Sequence, residues 1–172
     1  GKTGIVYLLN RNDLGKWSGS ANTPDRVPEY FTASSGMVFG APVYWNDFLY
    51  VWGGGDVLRQ YHMDSGFLTG PSNIGIAAAS PVIGGTMSLS SNNNTSGILW
   101  ALIGKDNPNQ QTVPGVLLAY DATDLRLLWH SEQNFNRDRV DTLAKFNPPT
   151  IANGKVYVPT FSNKVLVYGL LP

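Results

Sequence analysis

An internal repeat constrains this chain more than any other feature of its sequence. Pro42-Val43-Tyr44-Trp45-Asn46-Asp47-Phe48-Leu49-Tyr50-Val51 lies without a gap over Pro149-Thr150-Ile151-Ala152-Asn153-Gly154-Lys155-Val156-Tyr157-Val158, with Pro, Asn, Tyr and Val coinciding. The match continues from Asp56-Val57-Leu58-Arg59-Gln60-Tyr61 to Asn163-Lys164-Val165-Leu166-Val167-Tyr168. Each copy reads as strand, two-residue turn, strand, short loop, strand. Asn153-Gly154 is a strong hairpin signal, because both residue types tolerate the positive φ of a type I′ turn. Short strands repeated in this way must bury their faces against one another, so the repeat governs the architecture.

A second repeat sets Gly4-Ile5-Val6-Tyr7-Leu8-Leu9-Asn10 against Gly115-Val116-Leu117-Leu118-Ala119-Tyr120-Asp121, and a turn and a Trp (Trp17, Trp129) follow each copy. Ser80–Ile83 and Gly97–Leu102 supply the first two strands of a third unit. No 12-residue stretch carries a clean 3.6-residue apolar period, and 19 glycines and 11 prolines punctuate runs rich in Val, Tyr, Leu and Trp. That is the pattern of short antiparallel strands joined by turns. Four short strands recurring every ~40–50 residues are the signature of β-propeller blades. The expected fold is therefore all-β, in blades of four antiparallel strands.

Ala119-Tyr120-Asp121-Ala122-Thr123-Asp124-Leu125-Arg126-Leu127-Leu128-Trp129 resembles the tryptophan-docking repeat of the pyrroloquinoline-quinone-like, or quinoprotein-type, β-propellers. That family's pattern is Ala-x-Asp-x-x-Thr-Gly-Lys-x-x-Trp. Ala119, Asp121 and Trp129 fit, Arg126 stands for the Lys, and Asp124-Leu125 departs from the Thr-Gly pair. The copy at Tyr61 keeps Ser65-Gly66 without the Trp, and the copy at Leu9 has Trp17 one residue early. The closing stretch from Phe146 to Val158 is also similar to this family. The resemblance implies that Trp129 packs between adjacent blades. It casts Ala119, Asp121, Trp129 and Trp17 as structural docking residues.

On this reading the chain holds a blade remnant (1–36), a blade (37–79), a second blade (80–146) and a last blade (147–172). The units supply two, four, four and three strands, roughly thirteen in all, with Pro42, Pro81 and Pro149 opening innermost strands. Closed propellers have about four to eight blades. The expectation is an arc of about three blades from a larger propeller, with more chain upstream of Gly1. Its partners are then the remaining blades or a second copy of the chain. An open arc would leave apolar side chains exposed on both flanks.

Composition narrows function mainly by exclusion. Twelve basic and twelve acidic residues give zero net charge, which argues against nucleic acid or an anionic membrane as the main partner. The absence of cysteine removes thiol catalysis, Cys-ligated zinc and iron–sulfur clusters. No apolar run approaches the ~20 residues that span a bilayer.

Candidate sites fall on the face where B–C and D–A connections gather, counting strands A to D outward. The long connections are Ser18–Gly36, Gly70–Ala79, Gly104–Pro114 and Ser131–Asn147, with Ser90–Ser96 on the opposite side. The most charged carries Arg137, Asp138 and Arg139, followed by Lys145 and Phe146. Arg137 can clamp a carboxylate or quinone oxygen in bidentate fashion, and Lys145 can supply a point charge. The alternative is a solvated loop held by local ion pairs. His62 and His130 lack a second ligand at metal spacing, so no metal site is assigned. Asp121 reads as a turn residue accepting backbone N–H bonds. Gly53-Gly54-Gly55 reads as a turn rather than a phosphate cradle, since it opens no helix. Asn93-Asn94-Thr95 fits a glycosylation sequon. Tyr30-Phe31 and Phe135 are the exposed aromatics that a glycan-binding surface would use.

Two functions follow. The first is a non-catalytic binding or scaffold module, exported to the periplasm or cell surface, with a protein or small-molecule ligand on the loop face and no cofactor of its own. The alternative is a fragment of a quinoprotein dehydrogenase that oxidises an alcohol or sugar with pyrroloquinoline quinone and calcium in the full propeller. The alcohol-oxidising enzymes of that family use a vicinal Cys pair, which this chain lacks.

Overall fold

A computed structural model describes residues 1–14, 19, 27–76 and 82–170. Among them the chain forms thirteen strands and one helical turn, arranged in four antiparallel sheets. The first sheet pairs β1 (Ile5–Leu8) with β2 (Glu29–Thr32). The second runs β3 (Val43–Trp45), β4 (Phe48–Trp52), β5 (Leu58–Asp64), β6 (Phe67–Gly75). The third runs β7 (Thr86–Asn92), β8 (Thr95–Gly104), β9 (Gly115–Asp121), β10 (Leu127–His130). After α1 (Phe135–Asp138), the fourth runs β11 (Thr150–Ala152), β12 (Lys155–Pro159), β13 (Val165–Tyr168). Each sheet is a meander in chain order.

The sequence repeat is a structural repeat. Strands β3, β4 and β5 start at the positions aligned with β11, β12 and β13. Val43 pairs with Tyr50 as Thr150 pairs with Tyr157, and Leu49 with Tyr61 as Val156 with Tyr168. The turn residues Asn46-Asp47 and Asn153-Gly154 all have positive φ, as tight hairpins with right-handed strand twist require. The second repeat conserves its turn chemistry too. Asn10 Oδ1 accepts the Asn12 amide at 3.0 Å, and Asp121 Oδ1 accepts the Thr123 amide at 2.9 Å.

The sheets stack face to face in chain order, and alternation along each strand divides the side chains between two interfaces. Tyr50, Trp52 and Leu58 of the second sheet meet Leu99, Ala101, Leu118 and Tyr120 of the third. The opposite face of the third sheet, with Leu102 and Leu117, meets Val156 and Val158 of the fourth. Val51, Tyr61 and Leu68 meet Val6 and Phe31 of the first sheet. The second and third sheets are therefore covered on both faces. The first strands also gather, because β7 lies against both β3 and β11. Thr86 Oγ1 donates to the Asn147 carbonyl at 3.1 Å, and Ser88 Oγ donates to the Pro149 carbonyl.

Close approach of the chain explains Gly53 and Gly54, while Gly55 turns the chain with φ +66°. A Cβ on Gly54 would come within 2.4 Å of the Val82 carbonyl oxygen, so only glycine lets these connections touch. Beside it, Asp56 accepts from the Ser34 hydroxyl at 2.9 Å, the Ser35 amide at 2.7 Å and the Val57 amide at 2.8 Å, and it pairs with Arg59. Burial pushes the carboxyl up, but Arg59 and these donors outweigh it and hold it well below the usual carboxylate range.

Several expectations are corrected. The stretch Ser18–Gly36 is not simply a loop, because Glu29–Thr32 pairs with β1; Tyr30 stacks on Tyr7 and Phe31 packs on Tyr61. Gly70–Gly75 continues β6, and most of Ser90–Ser96 belongs to β7 and β8. The third unit's first strand begins at Thr86 rather than near Pro81, since Gly84 turns the chain with φ +76°. Pro81 and Trp17 lie outside the described residues. Trp129 is half-buried rather than buried. It packs edge-on against Tyr168, 5.7 Å between centroids, beside a sheet that has three strands among the described residues.

Two measurements check this account. Tyr120→Ala should cost about 3–5 kcal/mol in urea unfolding, and the half-buried Trp129→Ala about half as much. Asp56→Asn should cost about 1–3 kcal/mol at pH 7. Because the folded pKa of Asp56 is depressed, its stabilisation is full above the unfolded value near ~4 and is lost as pH falls below it. The gap between wild type and variant should therefore narrow at about pH 3.

Candidate functional site

Three connections converge beside the third and fourth sheets: the β8–β9 loop, the segment after α1, and the β12–β13 loop. Antiparallel bridges join Pro114 to Thr142 and Leu143 to Thr160. Leu143 N–H donates to the Val113 carbonyl at 2.8 Å and Phe161 N–H to the Thr142 carbonyl at 2.9 Å. Asp106 holds the first loop in shape, accepting the Asn107 amide at 2.7 Å and Gln111 Nε2 at 2.9 Å. Between the three connections lies a depression of about 410 Å³. That volume falls within the range of small-molecule sites.

Buried Val113 and Leu143 contribute to its lining, along with Gln111, Lys145, Phe146 and Phe161. Lys145 Nζ lies 3.5 Å from Asn109 Oδ1 and 6.0 Å from the centroid of the Phe146 ring. It has no ion pair among the described residues. Phe146 is exposed, sits 5.5 Å from Phe39 and adopts φ +64°. A bulky residue rarely enters this left-handed region, because Cβ then crowds its own carbonyl oxygen. Among the described residues Lys145 is the one titratable side chain lining the depression. Chemically, the site offers a cation and an apolar rim, which suit a small ligand bearing an anionic group.

The structure separates the five candidate site residues. Lys145 and Phe146 line this depression. Arg137, Asp138 and Arg139 instead line a groove of about 510 Å³ between the third and fourth sheets, with Trp100, Trp129 and Tyr168. The cause is α1, whose single turn carries Arg137 and Asp138 out of the loop that was expected to present them. Arg137 Nε and Nη2 bond both oxygens of Asp138, at 2.5 and 2.6 Å, so its fork is already engaged. Arg137 in turn holds the Asp138 carboxyl below its usual range. Tyr168 Oη donates to the Asp138 carbonyl at 2.9 Å, tying the turn to β13.

The remaining candidates have local roles. Asp121 also accepts the Thr123 hydroxyl, and Ala119 is buried in β9. The Phe135 ring has Lys105 and Arg139 each 5.5 Å from its centroid. His62 packs on Phe48, and buried His130 Nδ1 has no hydrogen-bond partner among the described residues. Among the described residues no group of three His, Asp or Glu side chains is placed to hold a metal ion, and no helix is long and apolar enough to cross a membrane. The sequence reading missed Phe39, Phe161 and Gln111, which carry no motif. An apolar Phe161 in a turn was the only available cue.

Comparison with protein-family models, curated proteins and solved structures finds no match for this chain.

The left-handed backbone at Phe146 is testable. Phe146→Gly and Phe146→Ala lose the same ring contacts, but only glycine relieves the strain. The Gly variant should be more stable than the Ala variant by about 1 kcal/mol in urea unfolding.

Proposed function

We propose that this chain contributes blades of a β-propeller of the quinoprotein-like repeat type and acts as a non-catalytic binding scaffold. Its ligand surface is the depression rimmed by Lys145, Phe146 and Phe161, and its setting is the periplasm or cell surface. The observation that carries this reading is the position of β7, which lies against β3 and β11 so that three successive sheets turn their first strands toward one another. Stacked four-stranded meanders with gathered first strands are what blades around an axis require. The repeat's shared register and the tryptophan-docking resemblance support the same reading.

The depression supports binding more than turnover. General acid–base chemistry needs titratable groups at hydrogen-bond reach of one reacting atom, and among the described residues its lining offers Lys145 alone. The residues present do not fit pyrroloquinoline quinone either. That tricarboxylate needs several converging cations, whereas Arg137 is engaged by Asp138 and Lys145 lines a different depression.

Calorimetry and NMR test this directly. Titrating the chain with pyrroloquinoline quinone and Ca²⁺ should give no saturable isotherm. Benzoate, a minimal apolar anion, should shift the amide signals of residues 111–113 and 143–147, and Lys145→Ala should abolish the shifts. A one-to-one micromolar isotherm with the quinone, lost in Arg137→Ala, would overturn the scaffold in favour of the dehydrogenase.

A further inference from the structure

The depression beside the β8–β9 loop offers more hydrogen bonding than its cation alone. Two carboxamides line it, Gln111 and Asn147, and each has its amide nitrogen committed elsewhere. Gln111 Nε2 donates to Asp106 Oδ2 at 2.9 Å, and Asn147 Nδ2 donates to the Lys145 carbonyl at 3.1 Å. Both anchors are themselves braced. Asp106 Oδ1 accepts the Asn107 amide at 2.7 Å, and the Asn147 carbonyl accepts the Thr86 hydroxyl at 3.1 Å. Pinning the nitrogen of a planar amide also holds its oxygen in place. Among the described residues neither Gln111 Oε1 nor Asn147 Oδ1 receives a hydrogen bond. The lining thus carries two fixed acceptors, which a ligand completes by bringing a donor.

The rest of the lining selects what carries that donor. An ammonium has three donors, and Asn109 Oδ1 engages one of Lys145's at 3.5 Å, which leaves others for a carboxylate. One cation balances one carboxylate, and a second negative charge in a partly apolar hollow would stand uncompensated. An ammonium on the ligand is disfavoured too, because no Asp or Glu among the described lining residues offsets Lys145. The donor is therefore a neutral hydroxyl. Between the polar groups the lining is apolar, with buried Val113 and Leu143 and the exposed rings of Phe146 and Phe161. The left-handed backbone of Phe146 sets its ring beside the ammonium, so a carboxylate on Lys145 brings its own carbon skeleton against that ring. Backbone strain of this kind gathers at ligand clamps. A flat aromatic ring suits the two phenylalanines, whereas a saturated sugar ring would press several hydroxyls against apolar carbon. A hollow of about 410 Å³ is at the small end of ligand sites, the scale of a single ring with its substituents.

We infer that the depression takes a phenolic monocarboxylate of the hydroxybenzoate class. Its carboxylate sits on Lys145 Nζ, its ring against Phe146 and Phe161, and its hydroxyl donates to Gln111 Oε1 or Asn147 Oδ1. A phenol keeps its proton at neutral pH, so it is a donor there. The inference rests on the ligand surface proposed above and adds the hydroxyl to the anion and ring already assigned. Every group involved lies between residues 106 and 161, on connections that bridge one another.

NMR titration of the full chain with benzoate, meta- and para-hydroxybenzoate and the two matching methoxybenzoates tests this. All carry one carboxylate on one ring, but only the hydroxy acids carry a donor. At least one hydroxybenzoate should bind about fivefold more tightly than benzoate, and its methoxy counterpart should show no such gain. Gln111→Leu or Asn147→Leu should bring the ratio of hydroxy to methoxy affinity to about one. The wild-type series stands by itself if either variant unfolds. Equal binding of hydroxy- and methoxybenzoates, with benzoate still bound, would overturn the phenolic assignment and leave the binding surface standing. A hydroxyl preference that survives in both variants would remove the two amides from the account. Tighter binding of glucuronate than of any benzoate would replace the phenol with an acidic sugar. Absence of shifts with every one of these acids would instead defeat the binding surface itself, and this inference with it.

Discussion

The second and third sheets meet through large aromatic rings and one buried amide, and the rest of the structure is arranged around that contact. Trp52 and Tyr120 pack edge to face, 6.2 Å between centroids. Gln60, with no exposed surface, donates to the Ala122 carbonyl at 2.8 Å and accepts from Asn73 Nδ2 at 2.6 Å. The Tyr50 hydroxyl donates to the same Ala122 carbonyl at 2.5 Å. Burial pushes Tyr50 up to about 12, so the hydroxyl remains a donor throughout the neutral range. An apolar interface tolerates sliding, whereas a buried amide must find its partners or lose the full cost of desolvation. Gln60 and Tyr50 thus fix how one sheet sits on the next, at the turn that Asp121 shapes.

Much of this fold was legible because the repeat carries its own register. Aligning Pro42 with Pro149 placed three strands and their turns, and Asn46-Asp47 and Asn153-Gly154 supplied chemistry suited to positive φ. The strand β2 was not legible. Glu-Tyr-Phe-Thr is four residues long, far in sequence from its partner β1, and lies beyond a polar stretch that reads as loop. Burial was equally hidden. Tyr50 and Tyr157 occupy the same position of the repeat, yet Tyr50 is fully buried and Tyr157 is not, because the second sheet has a neighbour on both faces whereas, among the described residues, the fourth has one on a single face.

The candidate site was half legible for a related reason. Charge and aromaticity pointed to the segment 137–146, but one turn of helix divides it. A single turn reverses the chain without leaving any periodic signal in the sequence. Arg137 therefore spends its hydrogen bonds on its neighbour, while Lys145 and Phe146 reach the depression with Phe161, a residue of the β12–β13 loop. Through-space company of this kind depends on the loop bridges at Thr142 and Leu143, which no local pattern encodes.

The stacking order also sets how the molecule comes apart. Each of the three cores joins sheets adjacent in the chain. Stability in such an array is close to a sum of nearest-neighbour interfaces, as in a one-dimensional stack. Among the described residues the first and fourth sheets have one interface each and the second and third have two. Opening therefore starts at the outer sheets and works inward, and amide protons in β4, β8 and β9 exchange last. Taken by themselves, the four described sheets behave as a short stack with a slow centre.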